Sequence, residues 1–448
     1  MKKILFHKRI LFLVSAGLFF FIGLPVKAQD SLRLNLQQVL EIALSDNPTV
    51  RIADREIQRK KYAKLEQLAD LLPNVSADAS YSRTLKKTRL AFGDGEPVEI
   101  GTDNSYNGGF NLSLPLIAPT LWKTLQLSQL DVELSMEAAR SSKIAMVNEV
   151  EKAYYQLLLT KDSYQVLLIS YNSTEENYKN ITQKFTQGLV SEFDKIRSEV
   201  QLKNMMPQLV STKNAIYLAS LQLKVLMGVD VNEPIIFEGN LVDFEDNMYG
   251  EMLTSLNDTL LYENSDLKQL DIQHKQLEKT KAINRTFFLP TLSLTSNYSW
   301  MTMANDFKFK NYQWFPNSTV GLTLSIPIFQ GGKNWQKQRQ TRIQIENLEL
   351  QREDLVRNLQ LSVNSSLSTM QTAIEEMNYS KENIKQAEKA YMISEKRYEV
   401  GSGTLLEMND AEVALTQARL AYNQAIYNYV AARSDLEKTL GKEPLIKE

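Results

Sequence analysis

From Leu40 onward the main structural signals of this chain occur twice, about 215 residues apart. The stretch "LEIALSDNPTVRIADREIQRKKYAKLEQLADLLPNVSADASYS" from Leu40 matches "LLYENSDLKQLDIQHKQLEKTKAINRTFFLPTLSLTSNYS" from Leu260. Asn47 meets Asn264, Asp54 meets Asp271, Pro73 meets Pro290 and Tyr81 meets Tyr298. Further on, Val150 meets Val363, Tyr178 meets Tyr391, Phe185 meets Tyr398, Gly188 meets Gly401 and Asp194 meets Glu407. Glu199 then meets Glu412, and Gly228 meets Gly441. The spacing predicts two copies of one plan, residues 29–236 and 237–448. Each holds a helix, two short alternating segments and a long helical hairpin. The join, roughly 230–262, carries Pro234 and Gly239 and little periodicity.

The short segments have period two. From Val75, the residues Val75, Ala77, Ala79 and Tyr81 share one face, and Ser76, Asp78, Ser80 and Ser82 the other. "LSLTSNYSW" from Leu292, "FNLSLPL" from Phe110 and "VGLTLSIPI" from Val320 alternate likewise. Their polar partners are small, and apolar rows end in Tyr298 and Trp300. That pattern fits strands with an apolar face toward lipid and an aromatic girdle; it also fits two soluble amphipathic hairpins packed on a core. Pro73, Pro115, Pro290 and Pro327 stand at the four expected strand–helix junctions, where a missing N–H suits a change of period. The segments 84–107 and 303–317 are polar and turn-rich, and read as outward loops. Four strands cannot close by themselves in a bilayer, because each unpaired edge group costs several kcal/mol there. Two chains would share an eight-stranded barrel filled by its own side chains; three would share twelve strands and leave a lumen.

From about 121 to 187, and again from 334 to 400, the sequence holds neither proline nor glycine. Each stretch amounts to roughly 100 Å of helix. Apolar positions run Val363, Leu367, Met370, Ile374, Met377, Ile384, Tyr391 and Tyr398. The counterparts are Val150, Tyr154, Leu157, Tyr164, Tyr171, Tyr178 and Phe185. This is a narrow coiled-coil seam rather than a broad globular stripe. Gly188 and Gly401 sit where each hairpin turns back, and glycine suits the left-handed residue that ends a helix. Ser191 and Thr404 are placed to start the return helices.

The first 28 residues read as a secretory signal: a basic start, the apolar run "ILFLVSAGLFFFIGL", then Val26 and Ala28 before Gln29. The run is short for a membrane anchor, which needs about 20 residues. Removing the signal leaves 46 basic against 53 acidic side chains, a net charge of −7 that excludes a basic nucleic-acid binder. There is no cysteine, hence no disulfide and no thiol chemistry. No catalytic motif is present, and neither a cofactor nor a metal is expected. His274 is the one histidine beyond the signal and reads as a surface residue. The "GDGEP" at 93–97 lacks the ligand count of a calcium loop.

Taken together, "LNLQQVLEIALSDNP", "LLP" and "FLP" before strands, "LSIPIFQGGK", "FTQGLVSEFD" and "YEVGSGTLLEMNDAE" resemble the TolC-type outer-membrane efflux proteins over nearly the whole mature chain. The resemblance implies an α+β membrane protein and a homotrimer. Four strands per chain would make a 12-stranded β-barrel, continued by an α-helical barrel across the periplasm. It implies a periplasmic adaptor (membrane fusion) protein at the tips and an inner-membrane pump of RND or ABC type behind it. Adaptor contacts fall on Gly188, Leu189, Val190 and Ser191, and on Gly401, Ser402, Gly403 and Thr404. The entrance carboxylates fall on Glu407 and Asp410, and a tip-to-tip link on Asp194 with Tyr398. Some members carry an arginine where this chain has Gly403, so little positive charge is expected beside the carboxylates. Lipid-anchored members have a cysteine after the signal; this chain has Gln29. A conduit for protein secretion would use the same architecture. A periplasmic coiled-coil adaptor, with one hairpin between small β-domains, fits the duplicated plan less well.

Overall fold

The computed structural model describes residues 32–443, apart from 92, 94–95 and 246–257. The expected signal at 1–28 lies outside the described residues, as do Asp94 and Gly95 of the GDGEP turn. In chain order the elements of the first copy are β1 (Leu32–Leu34), α1 (Leu36–Asp46), α2 (Pro48–Ala69), β2 (Asn74–Arg83), β3 (Thr88–Leu90) and β4 (Val98–Ile100). Next come β5 (Asn104–Ile117), α3 (Pro119–Thr186) and α4 (Glu192–Met227). Then follow β6 (Ile235–Phe237), α5 (Ser265–Thr286), β7 (Thr291–Ala304), β8 (Phe315–Ser325), α6 (Lys333–Glu399) and α7 (Leu405–Thr439). Both copies therefore follow the expected plan.

The long helices α3 and α6 run 68 and 67 residues, each about 100 Å. No described helix is long and apolar enough to cross a membrane. The buried seam of α6 includes Val363, Met370 and Met377, as the spacing predicts. In α3 the seam holds Val150, Tyr154 and Leu157, then drifts. Toward the tip it is Leu167, Ser170, Thr174 and Ile181 that are buried, while Tyr164, Tyr171 and Tyr178 lie half-buried beside it. A straight helix of 3.6 residues per turn rotates away from a strict heptad, which moves the contact line.

The core sits midway along the helices. There α1 and the parallel pair of β1 with β6 pack Leu34, Val39, Ala43 and Phe237 against Tyr154, Leu158, Ile426 and Tyr429. The join between copies is thus partly ordered structure, and the expected division at 236/237 falls inside β6. A lock recurs beside this core. Asn47 starts α2, accepting from the Thr49 amide at 2.7 Å, and its side-chain amide donates to the Leu226 carbonyl at 2.8 Å. Asn264 starts α5 in the same way and donates to the Thr439 carbonyl at 2.9 Å. Each asparagine ties the end of one copy's return helix to the start of a shorter helix. Gly228 and Gly441 end those return helices at φ of 74° and 68°. A Cβ on Gly228 would come 2.8 Å from the Asp46 carbonyl oxygen, and one on Gly441 would strike the Glu263 carbonyl. That close approach explains why the Asn and Gly positions repeat together.

The four longer strands form one antiparallel sheet in the order β2-β5-β7-β8. In this register Val75, Ala77, Ala79 and Tyr81 share a face with Phe110, Leu112, Leu294, Tyr298, Trp300, Leu322 and Leu324. Tyr81 stacks on Tyr106 at 4.9 Å, and Tyr298 meets Trp300 edge-on at 4.6 Å. The opposite face carries Ser, Thr, Asn and Gly in most places. Every residue of β2 and β8, the two edge strands, is exposed. The soluble-hairpin alternative needs a core under this sheet, and among the described residues nothing covers either edge strand.

Two expectations need correction. Pro73 and Pro290 do sit directly before strands, but Pro115 lies inside β5, where the ladder with β7 slips between Pro115 and Ile117. It stands beyond the last residue paired with β2, Ser113, so a proline there leaves that ladder intact. The junction to helix is made by Pro119, the first helical residue of α3. In the second copy β8 ends at Ser325, before Pro327, and Gly331 and Gly332 turn the chain into α6. The outward loops are also shorter than the sequence suggests, since residues 104–107, 303–304 and 315–317 belong to strands.

Candidate functional site at the helix tips

Both hairpins turn at the same end of the bundle, and the turns are built from helix-capping chemistry. Gly188 and Gly401 adopt φ of 75° and 74°. Behind them Leu189 N donates to the Lys184 carbonyl at 2.9 Å, and Ser402 N donates to the Arg397 carbonyl at 2.8 Å. These bonds close the last turns of α3 and α6. Ser191 caps α4 by accepting from Asp194 N at 3.1 Å. Thr404 caps α7 through a reciprocal pair: Glu407 N donates to Thr404 Oγ1, and Thr404 N donates to Glu407 Oε2, each at 3.2 Å.

The two turns are packed into one tip by a small apolar cluster of Ile181, Leu405 and Met408, flanked by Val190, Tyr391 and Tyr398. Gly188, Leu189, Ser191, Gly401, Ser402 and Thr404 face outward, with Leu189 69% exposed. A Cβ on Gly188 or Gly401 would meet no atom within 4 Å, so only the backbone angle asks for glycine there. Gly403 differs: its φ is ordinary, but a Cβ would stand 2.9 Å from Arg397 Cβ and 3.2 Å from Glu407 Oε2.

Arg397 corrects the expected shortage of positive charge. Its Nη1 lies 3.6 Å from Glu407 Oε2, and its Nη2 donates to the Ser402 carbonyl at 3.1 Å. A cation from the last turn of α6 thus occupies the space beside Gly403. Glu407 and Asp410 are both exposed, one turn apart on α7, while Leu405 and Met408 of the same turns face the cluster.

Among the described residues Asp194 and Tyr398 are not hydrogen-bonded to each other. Asp194 instead accepts from Ser191 Oγ at 2.8 Å. The Tyr398 hydroxyl is buried and has no partner among the described residues, and burial, then the nearby Asp194 charge, raises its pKa. His274 is a surface residue as expected, its Nε2 3.7 Å from Glu349.

Glu412 was not singled out by the sequence reading beyond its match to Glu199. It is 4% exposed. Thr174 Oγ1 donates to its Oε1 at 3.1 Å, and its Oε2 has no partner among the described residues. Burial pushes its carboxyl above the usual range, and Glu395 adds to the effect, against the lowering by Thr174 and Ser173. Glu199 is in the opposite situation: Lys203 bonds it at 2.6 Å and lowers its pKa. The signal was available, because Leu405, Met408, Glu412 and Leu415 are spaced as a seam and one of them is charged. A carboxyl with a raised folded value favours the packed tip when protonated. The stability it confers is complete below the unfolded value near 4.5 and is lost as pH rises through the folded value. Glu412→Gln, an isostere of the protonated acid, should abolish that loss. The expected result is a higher thermal midpoint than wild type at pH 8 and an equal one at pH 4; equal midpoints at both would refute it.

Comparison with known proteins agrees with this architecture. The family model described as outer membrane efflux protein matches residues 39–229 and 256–442. The chain is 23% identical to the outer membrane protein TolC of Escherichia coli, over 94% of this chain and 85% of that protein. It is 22% identical to the alkaline protease secretion protein AprF of Pseudomonas aeruginosa, over 90% and 84%. Among solved structures it is similar to the outer membrane channel CmeC of Campylobacter jejuni, with a TM-score of 0.74 and 21% identity over 91% and 85%. The open-state channel MtrE of Neisseria gonorrhoeae is similar too, with a TM-score of 0.73 and 19% identity over 91% and 88%. The fold is that of these channels, and its place is the outer membrane, extending into the periplasm. With most of its length matched in two copies, the chain belongs to the outer membrane efflux protein family.

Proposed function

We propose that three copies close one barrel and form the outer-membrane channel of a tripartite efflux system. The four-stranded sheet with two open edges carries this reading. Its apolar face is suited to lipid, and unpaired edges in hydrocarbon are costly enough to require partners. Three copies of four strands give twelve, wide enough for a lumen. The two copies of the plan, 29–236 and 237–448, would alternate around it. Substrates would pass from an inner-membrane pump through a periplasmic adaptor that meets Gly188 to Ser191 and Gly401 to Thr404. The Asp194–Tyr398 link would form only when the assembled tips close, which would give the buried Tyr398 hydroxyl an acceptor. Natively exported protein should purify in detergent as a single species of three chains by native mass spectrometry. A monodisperse monomer, soluble without detergent, would overturn the proposal.

One observation favours a second reading. A relative of similar identity is a protease-secretion protein, so the cargo could be polypeptide. Identifying the inner-membrane partner by cross-linking and mass spectrometry separates the two: an RND-type pump supports small-molecule efflux, an ABC-type pump with a secreted protein supports the alternative.

A further inference from the structure

The polar face of the sheet carries a single charged side chain, Asp78. Its neighbours on that face are Ser76 and Ser80 on β2, Asn107, Gly109 and Asn111 on β5, and Thr295, Asn297 and Ser299 on β7. Asp78 is near the middle of its ten-residue strand. Among the described residues it has no ion-pair partner. It is held by amides instead: Asn111 Nδ2 donates to Asp78 Oδ2, and Asn297 Nδ2 donates to Asn111 Oδ1 at 2.6 Å. The two bonds point the same way across three strands, so each amide dipole turns its positive end toward the carboxylate. Directly opposite Asp78 stands Gly109, where a Cβ would come 2.6 Å from the Tyr298 carbonyl oxygen. No side chain can therefore grow there to cover the acid.

We propose that Asp78, one from each of three copies, forms a ring of carboxylates that selects hydrated cations within the outer-membrane span, separately from the tips. This rests on the three-chain barrel proposed above. Twelve strands about 4.8 Å apart and tilted by roughly 40° give a wall about 12 Å from the axis. The carboxylates then stand about 9 Å from the axis and about 16 Å from one another, on the same geometry. That is too far for them to grip one ion together. The roughly 9 Å from each carboxylate to the axis is within a Debye length at low salt, about 30 Å at 0.01 M and 10 Å at 0.1 M, and beyond the 3 Å of 1 M salt. The ring therefore acts as a field on passing ions rather than as a chelating site. It should add to the cation-to-anion permeability ratio at low salt, beyond what the tips contribute, and leave block by multivalent cations unaffected.

The test is the reversal potential of the full-length protein in planar bilayers under a KCl gradient, at low and at 1 M salt. Asp78→Asn should lower the potassium-to-chloride permeability ratio about twofold or more in the low-salt gradient, with little change at 1 M. Asp78→Ser, which continues the serine row of β2, should do the same, and Asp78→Ser with Ser80→Asp should restore the ratio. Periplasmic-side block by a trivalent cation should be unchanged in all of them. A normal wild-type pore with an unchanged low-salt ratio in both single variants overturns this inference alone. A wild-type chain that forms no conducting pore overturns it together with the barrel.

Discussion

Gly188→Trp combined with Gly401→Trp should cut export roughly tenfold or more, the equivalent of losing at least one 1.4 kcal/mol contact, while the assembly and its membrane location survive. Both glycines hold positive φ, so any replacement costs about 1–2 kcal/mol in backbone strain. Neither has an atom within 4 Å of a new Cβ, so bulk adds no clash inside the chain. The tips also lie tens of ångströms along the helices from the main core, which bears most of the buried apolar surface. Loss of export would then report a partner that must approach the backbone at these turns. The paired alanine variant is the control, since it carries the same strain without the bulk. It should keep most of the activity, measured as substrate accumulation in cells. If tryptophan and alanine pairs behave alike, the turns serve folding and not docking.

The hairpin turns were legible because capping is local. Glycine at a helix end and Ser191 or Thr404 three residues on need no knowledge of the rest of the chain. The strands were legible from alternation, though not their ends: Gly108 and Gly109 interrupt the pattern in β5, and Pro115 imitates a boundary. The Asn47 and Asn264 locks appeared as paired positions without a mechanism, since their acceptors lie 179 and 175 residues away. What stayed hidden depends on contacts between elements. Nothing in the sequence marks Arg397 as a neighbour of Glu407; the tight turn through Gly403 brings it there. Glu412 differs from Glu199 because it is buried against Thr174 of α3, a difference that matched positions in two copies do not carry. The amide row behind Asp78 needs the register of three strands, which single-strand periodicity leaves open.

The charge at the tips is the property most altered by that hidden contact. Counting Arg397, each tip carries one net negative charge from Glu407, Asp410 and Arg397, rather than two. The Arg397–Glu407 pair is about half exposed on both sides, so it contributes no more than about 1 kcal/mol. It is enough to bias Glu407 toward its own turn, where the Thr404 amide also holds it. Among the described residues Asp410 has no such ion-pair neighbour, and it takes the larger share of the field at the entrance. In a closed trimer two Asp410 carboxylates about 8 Å apart would repel by roughly 2 kcal/mol at an effective dielectric near 20. Cations between them, or bound protons, would relieve that repulsion. The pore should therefore be cation-selective and blocked by multivalent cations from the periplasmic side. Asp410→Asn should weaken block by about tenfold or more, and Glu407→Gln, which preserves the capping pair, should weaken it less. Arg397→Gln should act in the reverse sense and strengthen block by exposing Glu407. Reversal potential and blocker titration in planar bilayers measure all three. If Asp410→Asn with Glu407→Gln leaves selectivity and block as in wild type, these acids do no more than favour the positive end of the α7 dipole.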